Sequence, residues 1–156
     1  MDACPMPPWQ RSGQPGDCPT HRHVGSTAKP SLIVQTFGRN PAEAPFARRF
    51  VRRTLANHPA REDAELLAAE LFANAVLHAG AGETISVAVT SHGRSVHVRV
   101  MDEGTAGVPC WFPGGGGGEG GRGLVLVNEI AARWGFVRET GCGTSVWFEI
   151  GDPDKP

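Results

Sequence analysis

The chain has 156 residues, a length that favours one domain, and its 40% apolar and 20% charged content is typical of a globular protein. A formal net charge of −1 argues against direct nucleic-acid or anionic-membrane binding, which normally needs a basic excess. The chain contains no membrane-spanning apolar run and no leader pattern at its N-terminus, so we expect a cytoplasmic protein.

The four cysteines form no C-x-x-C pair. Cys4 and Cys18 lie near His21 and His23, but their spacing matches no usual zinc finger. We therefore expect free thiols in a reducing compartment.

Both ends of the chain lack hydrophobic periodicity. Residues 1–30 are rich in Pro, Gly, Ser, Thr and His, which predicts a disordered tail, and residues 151–156 have a similar character. The predicted folded domain covers residues 31–150.

The first predicted elements are a strand over Ser31–Phe37 and a helix that ends near Asn57. Asn40 is a suitable N-cap, Pro41 suits the first helical position, and Glu43 completes a capping pattern. The helix also carries four arginines: Arg48, Arg49, Arg52 and Arg53. The simpler interpretation is that they form a solvated flank of the helix, and the alternative interpretation is that they form a partner-docking surface.

Further elements follow in the order helix, strand, strand, glycine-rich loop, helix, strand, strand. The first of these helices is predicted over residues 61–79, with Gly80 as its C-cap, and the next two strands are joined by a turn at His92–Arg94. The last helix is predicted over residues 124–133, and the last two strands over 134–139 and 144–150. This order predicts an α/β (α+β) two-layer sandwich, with helices on one face of a mixed, largely antiparallel sheet.

The second helix carries three polar residues in one stripe. Glu70, Asn74 and His78 are spaced i, i+4, i+8, beside the apolar stripe of Leu67 and Leu71. A carboxylate and an amide one turn apart can bind Mg²⁺ through oxygen. On spacing alone, a partly exposed polar helix edge is the favoured interpretation.

Asp102 follows the second hairpin strand and is followed by Gly104 and Gly107. The carboxylate could accept a hydrogen bond from an exocyclic amino group such as that of adenine, while the glycines let the backbone approach a ligand. An ordinary turn is the alternative.

The segment Gly114–Gly123 leads directly into a predicted helix start at Leu124. Backbone N–H groups at such a junction can bind phosphate, although the first half could be only a hinge. The segment contains G-x-G-x-x-G, which poly-glycine makes nearly unavoidable, and no P-loop pattern is present. Thr144 could offer a hydroxyl to a phosphate or could simply be a hairpin residue.

Taken together, the segments E-L-x-x-N-A-x-x-H-A, D-E-G, G-G-R-G-L-x-L-V and G-T-S-V-W-F resemble the GHKL ATPase superfamily. Among its members, the bacterial anti-sigma-factor serine/threonine kinases and related ATP-binding regulators are the most similar. The resemblance covers about residues 31–150 and implies a Bergerat-type ATP-binding fold.

The resemblance implies a role for each matching residue. Asn74 would ligate Mg²⁺, Glu70 would orient or deprotonate the attacking hydroxyl, and Asp102 would bind the adenine amino group. The remaining implied nucleotide-site residues are His78, Gly104, Gly107, Gly121, Arg122, Gly123, Leu124 and Thr144. One departure is Ala106, which stands where the D-x-G-x-G pattern has its second glycine, with Gly107 one residue later.

The implied function is Mg²⁺-ATP-dependent phosphorylation of a serine or threonine on a partner antagonist protein, with a sigma factor as a further partner and a homodimer as one assembly. The alternative is a catalytically silent, ATP-dependent module that sequesters a sigma factor or another regulator. A histidine-kinase fragment and an ATPase without a protein substrate rank lower.

Overall fold

The computed structural model describes residues 31–78, 83–102, 122–139 and 143–151. Residues 1–30, which form the predicted N-terminal tail, and residues 152–156 lie outside these ranges. Most of the glycine-rich segment and all four cysteines also lie outside them. The elements in chain order are β1 (Ser31–Gly38), a 3-10 turn (Pro41–Glu43), α1 (Ala44–Thr54), α2 (Arg61–His78), β2 (Thr84–His92), β3 (Ser95–Asp102), α3 (Arg122–Ile130), β4 (Arg133–Glu139) and β5 (Gly143–Ile150).

The described strands form one five-stranded sheet in the order β1-β2-β3-β5-β4. Each of the four pairings is antiparallel. The predicted two-layer sandwich with a largely antiparallel sheet is therefore confirmed, and the described strands include no parallel pair.

The three helices cover one face of the sheet. Strand residues alternate between faces, so Val96, Val98 and Val100 of β3 enter the core beneath α2, whereas His97 and Arg99 lie on the opposite face. The apolar stripe of α2 is buried as predicted, with Leu67 and Leu71 almost fully inaccessible to solvent. None of the described helices is both long and apolar enough to cross a membrane.

The first helical segment differs from its prediction at both ends. Asn40 does act as a cap, since its Oδ1 accepts a hydrogen bond from the Ala42 N–H at 2.9 Å, but the cap opens a 3-10 turn before α1. Helical geometry ends after Thr54, since Leu55 leaves the helical dihedral angles (φ −105°, ψ 28°) and the next backbone bond, from Ala56 N–H to the Arg53 carbonyl at 3.3 Å, spans three residues instead of four. The third helix also begins and ends earlier than predicted, at Arg122 and Ile130.

Two of the four arginines of α1 join it to α2. Arg52 makes a bidentate contact with Glu65, at 2.9 and 2.7 Å, and Arg48 Nε donates to the same carboxylate. Glu65 is only 4% exposed, while both arginine side chains remain more than half exposed. Arg48 and Arg52 therefore keep the solvent exposure that the simpler interpretation predicts, while they also supply the cationic partners that the buried Glu65 carboxylate requires.

α2 and β3 run in the same direction from a common end. His58, just before α2, contacts the Gly93 carbonyl in the β2–β3 turn through Nε2 at 3.1 Å. The 18 residues of α2 and the 8 of β3 each span roughly 26 Å, at about 1.5 and 3.3 Å per residue. The last turns of α2 therefore lie at the Asp102 end of β3.

Candidate functional site

The first part of the candidate site is formed by Glu70 and Asn74 on α2, which we call the Glu-Asn face. The two residues are one turn apart, and both are partly buried. His78 is the last residue of α2, and its side chain lies outside the described part of the chain.

Gly123 of α3 packs directly against the Glu-Asn face. A β-carbon at position 123 would lie 2.9 Å from Glu70 Oε2, 3.1 Å from Glu70 Cβ and 3.3 Å from Asn74 Nδ2. Only glycine fits this approach without displacing a neighbour, so the first turn of α3 reaches the carboxylate and the amide. The positive end of the α3 dipole thus adjoins the two side chains, an arrangement that favours bound anions.

Leu124, the next residue of α3, has a buried side chain. It is 3% exposed and belongs to the hydrophobic core. Any contact of Leu124 with a phosphate must therefore come from its backbone N–H, while the side chain fixes the start of α3 in place.

The second part of the candidate site joins Asp102 to Thr144. These residues are direct cross-strand partners of β3 and β5, so their side chains lie on the same face of the sheet. Asp102 shares the alternation of Val100, and Thr144 shares that of Phe148, which places both on the helix-covered face.

The hydroxyl group of Thr144 is buried. The residue is 5% exposed, and its Oγ1 has no hydrogen-bond partner among the residues that the structure describes. A buried hydroxyl without a partner costs about 1–3 kcal/mol, which a ligand that bonds to it would recover.

The two parts lie at the same end of the sandwich. α2 contacts both β3 and α3, and its last turns reach the Asp102 end of the sheet. We infer that the Glu-Asn face, the start of α3 and the Asp102–Thr144 pair border one region. Sequence reasoning selected these residues but missed the steric reason for Gly123 and the pairing of Asp102 with Thr144. Strand alternation indicates which face of the sheet each residue occupies, but not which strand lies beside it.

Several predicted residues cannot be placed. Gly104, Gly107 and Gly121 lie outside the described residues, and Arg122 begins α3 with its side chain likewise undescribed. Their roles remain predictions.

The oxygen donors present suit a hard cation that keeps water and phosphate ligands. Across the described ranges, no group of three or more His, Cys, Asp or Glu side chains could hold a metal by itself. Asn74 offers an amide oxygen one turn from the Glu70 carboxylate, which matches the sparse protein ligation that Mg²⁺ adopts beside a nucleotide.

Comparison with known proteins identifies the family. A family model for the histidine kinase-like ATPase domain matches residues 40–150, which is more than half of the chain and includes both parts of the candidate site. No curated protein matches the chain. The chain belongs to the histidine kinase-like ATPase family of GHKL type and contains its ATP-binding domain.

Proposed function

We propose that this protein is a Mg²⁺-dependent serine/threonine protein kinase of the anti-sigma-factor type. It would transfer the γ-phosphoryl group of ATP to a hydroxyl of a partner antagonist protein, and a sigma factor would be its regulatory target. ATP binding is the family property, whereas the kinase activity and the partners are the proposal.

The observation that carries the proposal is the contact of Gly123 with Glu70 and Asn74. It brings a potential base, a potential cation ligand and the N–H groups of a helix start within a few ångströms of one another. Phosphoryl transfer depends mainly on positioning and charge neutralisation, which such a cluster can supply.

Each residue has a chemical task in this scheme. Asp102 accepts a hydrogen bond from the adenine amino group, and the Thr144 hydroxyl gains a partner on the nucleotide side. The N–H groups at the start of α3 hold phosphate oxygens. Asn74 would hold Mg²⁺ through its amide oxygen, and the bound ion would supply neutralisation of the phosphate charge.

Glu70 serves the transfer step. Its carboxylate accepts the proton of the substrate hydroxyl as the oxygen attacks the γ-phosphorus. A new P–O bond forms to the partner, the bond between the γ-phosphorus and the β–γ bridging oxygen breaks, and ADP leaves with that electron pair.

The test is transfer of ³²P from labelled ATP to proteins that co-purify with the chain from its native cell. We expect labelling of a serine or threonine that Glu70→Gln abolishes while ATP affinity changes less than threefold. Glu62→Gln, which alters an exposed carboxylate on the same helix, serves as the matched control and should label normally.

The alternative function has its own outcome in the same assay. A stable ATP-dependent complex with no labelled protein would contradict the kinase proposal and favour the sequestering module. The replacement of a pattern glycine by Ala106 is the observation that keeps this alternative in view.

A further inference from the structure

The β1 strand presents an unusual edge. It is a terminal strand of the sheet, and no described strand pairs with its outer side. Its eight residues carry no charge, and Leu32, Ile33 and Val34 are 64%, 45% and 52% exposed. Exposed sheet edges are usually blunted by charges, prolines or bulges, and this strand has no lysine or proline.

The helix next to this edge adds a basic flank. Phe46, Arg49 and Arg53 lie on one stripe of α1, and the Arg49 guanidinium lies 6.0 Å from the centre of the Phe46 ring. We call these three residues the α1 flank. Neither arginine forms an ion pair with any residue in the described ranges, in contrast to Arg48 and Arg52.

The α1 flank and the β1 edge lie on the same side of the molecule. α1 packs over β1 and β2, with Phe50 against Phe37 at a ring-centre distance of 6.1 Å. α2 lies on the other flank of α1, where Glu65 contacts Arg48 and Arg52. The α1 flank, which faces away from α2, therefore lies above the β1 edge of the sheet.

We propose that the β1 edge and the α1 flank bind an extended acidic segment of a partner protein by strand addition. The open backbone edge supplies main-chain hydrogen bonds, the exposed side chains of β1 contact apolar residues of the segment, and Arg49 and Arg53 pair with its carboxylates. This surface is separate from the Glu-Asn face and does not depend on the kinase proposal.

Charge favours an acidic partner over a second copy of the chain. Antiparallel pairing of two β1 strands about a two-fold axis would place two α1 flanks on the same face of a continuous sheet. Arg49 and Arg53 of both copies would then oppose like charges.

The experiment uses labelled synthetic peptides and the full chain. A peptide alternating Glu and Val over eight residues should bind saturably by fluorescence anisotropy, and one alternating Lys and Val should bind at least tenfold more weakly. In ¹⁵N NMR, the amide resonances of β1 should shift with the acidic peptide, and the amides that point away from β2 should gain protection from exchange.

Variants separate the surface from general effects. Arg49→Glu with Arg53→Glu, and separately Val34→Glu, should each weaken acidic-peptide binding at least tenfold. Exposed matched controls elsewhere, Arg94→Glu and Leu66→Glu, should bind as the unmodified chain does. All variants alter exposed side chains, and circular dichroism would verify folding.

Three results would overturn the proposal. One is equal binding of the acidic and basic peptides. Another is a dimer by light scattering whose association Val34→Glu abolishes, which would assign the edge to a second copy. The last is protection, in the free monomer, of the β1 amides that point away from β2, which would assign the outer edge to another segment of the same chain.

Discussion

The α2–α3 end of the sandwich packs polar groups closely in its interior, whereas the α1–β1 end leaves apolar and cationic side chains exposed. At the α2–α3 end, Gly123 lets two helices approach until a carboxylate and an amide nearly touch the backbone, and Thr144 keeps a buried hydroxyl without a partner among the described residues. At the α1–β1 end, apolar side chains remain exposed beside a sheet edge and two cationic groups.

This contrast separates two kinds of recognition. Close packing around polar groups suits a small ligand, whose atoms must replace specific missing hydrogen bonds. An open backbone edge suits a chain that brings its own backbone groups. One fold can therefore bind a nucleotide at one end and a polypeptide at the other without sharing residues.

The largest expected effect comes from breaking the core that both ends share. Phe72 of α2 is fully buried and meets Phe37 of β1 edge-to-face at 5.8 Å. Phe72→Ala should lower the free energy of unfolding by about 3–5 kcal/mol, because it leaves a cavity. Urea denaturation measures this, and Phe46→Ala, at an exposed position, should change stability by no more than about 0.5 kcal/mol. A loss for Phe72→Ala no larger than that for Phe46→Ala would contradict the close packing of Phe72 in the core.

A matched pair of glycine variants sharpens the comparison. Gly123→Ala gains about 0.8–1.0 kcal/mol in helix propensity but overpacks Glu70 at a cost of about 1–3 kcal/mol. We therefore expect a net loss of stability of up to about 2 kcal/mol. We also expect ATP binding to be at least tenfold weaker. In Gly38→Ala, the nearest atom would be Glu43 Cγ at an ordinary 3.8 Å, and stability should hold or rise. Urea denaturation and ATP titration report both quantities. Unchanged ATP affinity in Gly123→Ala would remove the α3 start from the site.

The next effect, of about 1 kcal/mol, is a difference in stability between the Thr144→Val variant and the unmodified chain that changes sign when ligand binds. Thr144→Val removes a hydroxyl that has no described partner, so the free protein should be as stable or about 1 kcal/mol more stable. With saturating Mg²⁺-ATP the order should reverse, because only threonine can bond to the ligand. Thermal unfolding with and without nucleotide measures both, and Thr144→Ser should retain the ligand-dependent gain. A Val variant that gains as much from ATP as threonine would exclude this hydroxyl from the site.

The smallest effect concerns the ionic contact of Glu65 that joins α1 to α2. The hydrogen bonds of Arg52, followed by those of Arg48, hold the pKa of Glu65 below its ordinary value, although burial acts in the opposite direction. Since the folded-state pKa is lowered, this contribution is fully present above the ordinary glutamate pKa of about 4.3 and is lost as pH falls through the folded-state pKa.

Glu65→Gln tests that contribution through its pH dependence. The stability difference between the unmodified chain and the variant should be larger at pH 7 than at pH 3 in urea denaturation. The exposed control Glu62→Gln should show a nearly constant difference. A Glu65 difference that does not shrink in acid would show that the arginines do not depend on its charge.

The sequence predicted the elements well because their determinants are local. Alternating valines identified β2 and β3, and the stripe of Leu67 and Leu71 identified the buried face of α2. Helix ends were less predictable, since the stop of α1 at Thr54 depends on how the chain packs after it rather than on a glycine or proline at that position.

Long-range contacts could not be predicted in the same way. β5 pairs with β3 and leaves β4 at the edge, an order that depends on long-range strand pairing and that no local pattern specifies. The pairing of Asp102 with Thr144 follows from this order. The contact between Gly123 and Glu70 likewise needs two helices in place, although glycine, glutamate and asparagine were each selected from the sequence.

The central claim is that Asn74 on α2 and Asp102 on β3 serve one bound nucleotide. Titration calorimetry of Asn74→Ala and Asp102→Ala with Mg²⁺-ATP and with adenosine tests it directly. We predict single-site ATP binding that each variant weakens at least tenfold, with adenosine binding lost only in Asp102→Ala. ATP binding that either variant leaves unchanged would contradict a shared site.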